Sequence, residues 1–389
     1  MVAEHDDQNH SKNRLRNLRV CRPPHVLSLI HISTVYSGIG LKLSMASATQ
    51  RPANTVTSDQ RLTDSHGRVI HDLRVSITDR CNYKCVYCRT GEVGAQYPEL
   101  GIDEYLRLIK VFVGLGITKV RLTGGEPLLR RGLVDLVKEL ACLRTLSGEP
   151  LDLALTTNGH LLDSLAEPLK AAGLNRATVS MDAVDASTFE RITRVPGSFE
   201  AVLRGVRAAR AAGLTPLKIN CVLLRGFNDD QIEGFAHFAR EENVVVRFIE
   251  FMPLEEGRLW SPEIVVPLKE IVARISRILP LVALDPRDAS ETARRYTFAD
   301  GVGEIGIIAP VSQPFCGACS RVRLTSDGKI RTCLFSQVEH DLYGRFRAGA
   351  SDAELRDYIF RTVESKEARH HIGEPGFLKP SRSMVHIGG

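Results

Sequence analysis

The chain has 389 residues, 43% hydrophobic and 25% charged, with a formal net charge of +5. That composition suits an ordinary globule, long enough for two domains or one large α/β barrel with an appendage, and it excludes disorder throughout. The basic residues are dispersed instead of forming an aromatic-flanked stripe, which argues against nucleic acid and leaves a small polyanion open as a partner. Residues 1–67 mix His, Asn, Ser and Arg without an apolar periodicity, and the run Val26–Ile32 is interrupted by Ser28 and His31, too short to span a membrane. Six Lys/Arg in residues 1–44 stand against Glu4, Asp6 and Asp7. This leaves open a mitochondrial presequence, beside the plainer reading of a disordered or mis-started extension with translation beginning at Met45. The ordered chain is expected to begin near Arg68.

From there, strand-like runs alternate with helical ones, the pattern of a parallel sheet with crossover helices. Strands are predicted at Leu73–Thr78, Lys119–Thr123, Leu151–Thr156, Ala177–Ser180, Leu217–Leu223 and Val244–Glu250. Helices are predicted at Ile102–Leu115, Arg131–Leu146, Leu161–Ala172, Phe199–Ala212 and Asp229–Glu242, with Gly116, Gly173 and Gly213 at C-cap positions. Six βα units over residues 68–252 predict an α/β fold with a partial (βα)6 barrel of the TIM type, working at the C-terminal edge of its strands. After Pro253 the rhythm breaks into Arg294–Phe298, Glu304–Ile308, Val322–Leu324 and Ile330–Cys333, then a helix from about Asp352 to Lys366. Residues 253–389 therefore read as a second domain.

Six of the nine cysteines stand in two triplets, which in a large chain argues for metal and a reducing compartment over disulfides; Cys21, Cys142 and Cys221 read as incidental or packed. Cys81, Cys85 and Cys88 directly follow the first strand. A Cys-x3-Cys-x2-Cys loop can hold three corners of a four-iron, four-sulfur cube and leave one iron open. The alternative, a zinc knuckle, lacks a fourth Cys or His between Asp79 and Gly101. Gly124-Gly125-Glu126-Pro127 follows the second strand, where two glycines allow close approach to a ligand and the carboxylate can meet an ammonium; taken alone it is also a plausible turn. Arg74, Lys119, Arg121, Lys218 and Arg247 lie on predicted strands or their ends and are read as converging on one edge to hold an anion. A solvated strand end is the blander account for each. The second triplet, Cys316, Cys319 and Cys333, reads as a second cluster with an open iron, or as a zinc ribbon short of one ligand. His370 and His371 read as solvated.

The first triplet, with Tyr87 just before its last Cys, resembles the radical S-adenosylmethionine (SAM) superfamily. That resemblance implies SAM chelated at the open iron and cleaved by one electron to a 5'-deoxyadenosyl radical. It implies SAM contacts at Tyr87, Gly125, Ser180 and Met252, with Thr156 lining the same pocket. With the second triplet, Asp72-Leu73-Arg74, Arg321-Val322-Arg323 and the final Gly388-Gly389, the chain from about Arg68 onward resembles the GTP 3',8-cyclases of molybdenum cofactor biosynthesis. The resemblance implies two [4Fe-4S] clusters and SAM as cofactors and GTP as substrate. It places Arg74, Lys119, Arg121, Thr156, Lys218, Arg247, Arg321, Val322 and Arg323 at GTP, and Arg321, Arg323, Gly388 and Gly389 in catalysis, with the tail entering the barrel. It also implies an electron donor of flavodoxin or ferredoxin type, cyclic pyranopterin monophosphate synthase downstream and a cytoplasmic setting, and leaves a homodimer open. Within enzymes the alternative is another radical SAM protein with an auxiliary cluster, such as a peptide-modifying maturase. Outside enzymes it is a metal-binding module that senses redox state.

Overall fold

The computed structural model describes residues 61–89 and 94–388, so the Met45 start, the presequence reading and Gly389 lie outside the described residues. Six strands set the frame: β1 (Asp72–Ser76), β2 (Lys119–Thr123), β3 (Asp152–Thr157), β4 (Arg176–Ser180), β5 (Lys218–Leu223) and β6 (Val245–Glu250). Each lies parallel to the next, and the links are helical. The helices are α1 (Ile102–Val113), α2 (Leu133–Ala141), α3 (Leu162–Ala171), the pair α4 (Ala186–Thr193) and α5 (Ser198–Ala211), and α6 (Ile232–Glu241). Each helix turns an apolar stripe to the sheet; in α1 it is Tyr105, Leu108, Ile109 and Phe112, spaced at three and four residues.

The stretch after Pro253, read from the sequence as a second domain, is divided between the two flanks of this one sheet. It comprises α7 (Leu268–Ile278), β7 (Leu281–Leu284), β8 (Arg294–Phe298), β9 (Glu304–Ile308), β10 (Arg321–Leu324), β11 (Lys329–Arg331), β12 (His340–Asp341), α8 (Leu342–Arg347), α9 (Asp352–Glu364) and α10 (Met384–Ile387). The strand order is β12-β11-β10-β1-β2-β3-β4-β5-β6-β9-β8-β7. A six-stranded parallel sheet that does not close leaves two edges of unpaired backbone groups. β10 covers one by pairing parallel to β1, and β9 covers the other by pairing parallel to β6. The order is linear, so the barrel stays partial, with antiparallel strands at its outer margins.

The ordered chain also begins earlier than Arg68. Leu62 is fully buried in the core, its N–H donates to Leu115 O at 3.0 Å, and its carbonyl accepts from Ile70 N at 2.8 Å. Helix α4 has no counterpart among the helices predicted from the sequence; its N-cap Asp185 accepts from Thr188 N at 2.9 Å. No helix among the described residues is long and apolar enough to cross a membrane.

Candidate active site

Strand polarity places the two thiol triplets at opposite ends of the barrel. Cys81, Cys85 and Cys88 follow β1 and lie at the C-terminal end of the strands. Cys316 and Cys319 precede β10, which runs parallel to β1, so they lie at the N-terminal end; β11 runs back antiparallel and returns Cys333 to that same end. Roughly 15–20 Å of strand separates the two ends. Between them lies a cavity of about 910 Å³.

At the C-terminal end the cysteine loop is held from several sides. Lys84 N and Val86 N donate to Thr193 O and Ile192 O, the last residues of α4, at 3.1 and 3.0 Å. Tyr87 Oη donates to Asp182 Oδ2 at 2.6 Å. Gly125 N and Glu126 N donate to Thr78 O and Arg80 O, at 2.8 and 2.7 Å, at the root of the loop. That approach explains the glycine pair. A Cβ on Gly124 would stand 2.3 Å from Thr78 O, and one on Gly125 would stand 2.2 Å from Arg80 O. Glu126 turns into the protein and not toward the cavity. It is fully buried and outside the cavity lining, accepting from Leu128 N at 2.9 Å, Thr157 Oγ1 at 2.7 Å and Asn158 N at 2.6 Å. Burial lifts its carboxyl to about 7 against those bonds.

The thiols of the first triplet are unpaired and line the cavity. Burial, with Glu126 next, pushes Cys81 up to about 11; burial, with Cys81 next, pushes Cys88 up to about 12; and Cys85 rises as well. Three half-buried thiols, Cys85 raised by both of the others and Cys88 by Cys81, are the donor set a cationic cluster would relieve. The second triplet differs. Burial raises Cys319, but Arg321 and Lys366 outweigh it and bring the thiol to about 7, with Arg321 Nη2 at 3.3 Å from its Sγ. Among the described residues no three Cys, His or acidic side chains meet as a single metal ion requires, and a cube reaches across wider spacings. The first donor set, gathered on the cavity wall, fits an iron–sulfur cluster.

The five cations do not gather at one edge, as read from the sequence; they run along the lumen from the strand starts to mid-strand. Arg323, Arg74 and Arg121 occupy matching register positions on the neighbouring strands β10, β1 and β2. Arg121 Nη1 donates to Thr156 Oγ1 at 3.1 Å and Thr178 Oγ1 at 3.3 Å, and Arg247 Nε to Asn220 Oδ1 at 2.9 Å. Lys119 pairs with Asp72 at 2.5 Å; burial raises Asp72, yet Lys119, Arg74 and Arg121 hold it well below the usual carboxylate range. Burial lowers Arg74 to about 10, Arg247 to about 9 and Lys218 to about 7, and the neighbouring arginines press on each. Like charges side by side across strands are destabilising, so this lumen is arranged for an anion.

Ser180, Met252, Gly125, Tyr87 and Thr156 line the cavity together with these cations, whereas Val322 turns its side chain into the core. Gly388 O accepts from Arg323 Nη1. Its φ is +76°, and a Cβ there would stand 2.7 Å from Thr123 Cγ2 and 3.1 Å from Ser76 Oγ. Sequence reasoning missed Arg176, Asn220, Asn158, Arg287 and Asp288 in the lining. Asn220 carried a signal: in β5 Lys218, Asn220 and Val222 alternate with the fully buried Ile219, Cys221 and Leu223, or nearly so, the period of a strand with one face on a lumen.

The family model of the radical SAM superfamily matches residues 75–239, and the model of Molybdenum Cofactor Synthesis C matches residues 244–372. A GTP 3',8-cyclase of Moorella thermoacetica is 44% identical over 329 residues, covering 84% of this chain and 99% of that protein. This chain belongs to the GTP 3',8-cyclase family. Other members include the Acidothermus cellulolyticus enzyme, 43% identical over 322 residues, 80% of this chain and 88% of that one. The Streptomyces coelicolor enzyme is 43% identical over 335 residues, 84% and 96% of the two chains. The fold of the family is also that of Streptococcus suis SuiB in its crystal structure bound to S-adenosylmethionine. There the TM-score is 0.56 at 14% identity, over 77% of this chain and 69% of that one.

Proposed function

We propose that this chain converts GTP to (8S)-3',8-cyclo-7,8-dihydroguanosine 5'-triphosphate, the first step of molybdenum cofactor biosynthesis. The observation that carries the reading is the row Arg323, Arg74, Arg121 in one register, continued by Lys218 and Arg247 in a cavity with a thiol triplet at its far end. Arginine forks match phosphate oxygens two at a time, and a triphosphate offsets the repulsion within the row. Cys81, Cys85 and Cys88 would hold the [4Fe-4S] cluster that chelates SAM. Bound there and reduced by one electron, the pair supplies a carbon-centred radical able to take hydrogen from C3' of the ribose.

The rest of the work falls to the protein. Tyr87, Gly125, Ser180 and Met252 flank the SAM position. The cations fix the triphosphate and so the distance of C3' from the first cluster, a geometric advantage that positioning alone supplies. Cys316, Cys319 and Cys333 would hold a second cluster at the guanine end, with Arg321 and Arg323 beside it. Gly388 and Gly389 would close the site from the tail. Removing water from this lumen strengthens each phosphate contact and protects the radical. A single-electron donor of flavodoxin or ferredoxin type would serve the first cluster, cyclic pyranopterin monophosphate synthase would take the product, and the setting would be cytoplasmic. The test is anaerobic turnover of reconstituted protein with GTP, SAM and dithionite, read by product mass. About eight iron per chain and the cyclised triphosphate are expected; zinc, or 5'-deoxyadenosine with GTP unchanged, would overturn the reading.

A further inference from the structure

The tail's last turn is held by one buried guanidinium. The Arg382 side chain is 4% exposed. Its Nη1 donates to Asp327 Oδ1 at 2.9 Å and its Nη2 to Asp327 Oδ2 at 2.8 Å, a two-pronged pair, and Nη2 also lies 2.7 Å from Glu339 Oε2. The same group stacks 3.9 Å over the ring of Tyr97, in the segment that follows the cysteine loop. Both carboxylates are themselves fixed. Thr325 Oγ1 donates to Asp327 Oδ1 at 2.6 Å, and Arg331 Nη1 to Glu339 Oε1 at 2.6 Å.

Asp327 stands in the turn between β10 and β11, three residues beyond the strand that carries Arg323. One rigid element therefore grips the tail twice, at Arg382 through Asp327 and at the Gly388 carbonyl through Arg323. On the other side of the mouth, Lys379 pairs with Glu255 at 2.9 Å and Met384 N donates to Leu254 O at 3.0 Å, just past β6. The tail thus crosses the C-terminal opening from the β6 side to the β1 side. A helix as short as α10 does not hold itself together in water, so its placement is set by these anchors. Had the tail only to seal the opening, the buried Val385 and Ile387 would suffice, because apolar burial has no direction. A buried charge fork accepts one register and penalises the others.

We propose that Arg382 is a positioning residue for the reaction: its grip on Asp327 and Glu339 sets the depth at which residues 384–388 reach into the cavity, and hence the alignment of the bound nucleotide. The proposal rests on the GTP-cyclising reading above. It is tested in the full reconstituted chain with Arg382→Gln and Arg382→Lys. Two quantities are read: hydrogen exchange of the peptide covering residues 383–388, and cyclised product formed per 5'-deoxyadenosine.

Arg382→Gln is expected to speed exchange in that peptide and to lower the coupling ratio by on the order of ten- to a hundredfold, with iron content retained; Arg382→Lys, which keeps the charge and loses the fork, falls between. General damage to the fold would lower both products together and leave their ratio alone. Unchanged exchange overturns the proposal, and so does faster exchange with unchanged coupling. If Arg382→Gln does not fold, Asp327→Asn weakens the same pair from its other end and is read in the same way. Absence of cyclised product from the unaltered protein refutes the functional reading and the proposal with it, whereas product formation with coupling indifferent to Arg382 refutes the proposal alone.

Discussion

Lys218 makes GTP binding a proton-linked event. In the ligand-free lumen burial, then Arg247, Arg121, Arg176 and Arg287, push its ammonium down from 10.5 to about 7. A bound triphosphate reverses the sign of that surrounding field, so the folded, liganded lysine regains its ordinary basicity. Between pH about 7 and the ordinary lysine range, binding therefore takes up a proton, and observed affinity falls as pH rises, by at most tenfold per pH unit. Lys218 is half-buried, so solvent screens part of this, and a weakening of about five- to tenfold from pH 7 to 8.5 is expected. Stability of the free protein runs the other way. A base whose folded pKa is depressed costs stability in full below about 7, and that cost fades as pH climbs toward 10.5. Anaerobic titration calorimetry at pH 8, in two buffers of different ionisation enthalpy, measures the proton directly, and Lys218→Met should abolish the buffer dependence. A buffer-independent enthalpy with flat affinity from pH 7 to 8.5 would refute the reasoning, as would uptake that survives in Lys218→Met.

Arg247→Met should raise the melting point of ligand-free protein, by about 1–2 kcal/mol of stability, because burial and the pressure of Arg121, Arg74 and Arg176 hold Arg247 down at about 9. The same change should raise the KM for GTP, and a lower melting point would count against the crowded-cation account. Gly125→Ala drives a Cβ to 2.2 Å from the Arg80 carbonyl, so iron content should drop toward about four per chain; full iron with normal SAM cleavage would show that the loop can shift. Cys85→Ala should abolish 5'-deoxyadenosine formation, since two thiolates are a poor hold on a cube that changes oxidation state. Cys319→Ala should keep some of it while losing cyclised product. Normal GTP conversion by either variant sinks the assignment of its triplet.

The order of strands and helices was legible because each short strand keeps one apolar face on the core while polar residues punctuate the other, and because Gly116, Gly173 and Gly213 mark the helix ends with positive φ. The cysteines and the lumen cations could be named for the same local reason. What could not be read was direction in space. Glu126 looks like a ligand in the sequence and turns into the protein to bind the backbone past β3. The cations, read as one edge, stand at the starts and the middles of their strands. Arg382 sits in a basic, turn-rich tail, and nothing near it in sequence announces Asp327 or Glu339 as its partners. The division of residues 253–389 between two flanks likewise depends on pairings such as Asp72 with Arg321, which leave no periodic trace.

That last pairing has a consequence for how the protein is made. β1 leaves the ribosome early, and the strand that covers its outer edge, β10, lies about 250 residues further along. At roughly 5–20 residues per second the wait is on the order of ten to fifty seconds, with a row of unpaired amides and carbonyls open to any passing strand. Chains stopped short of Arg321 would keep that edge for good. They should aggregate through it even though all six βα units are complete.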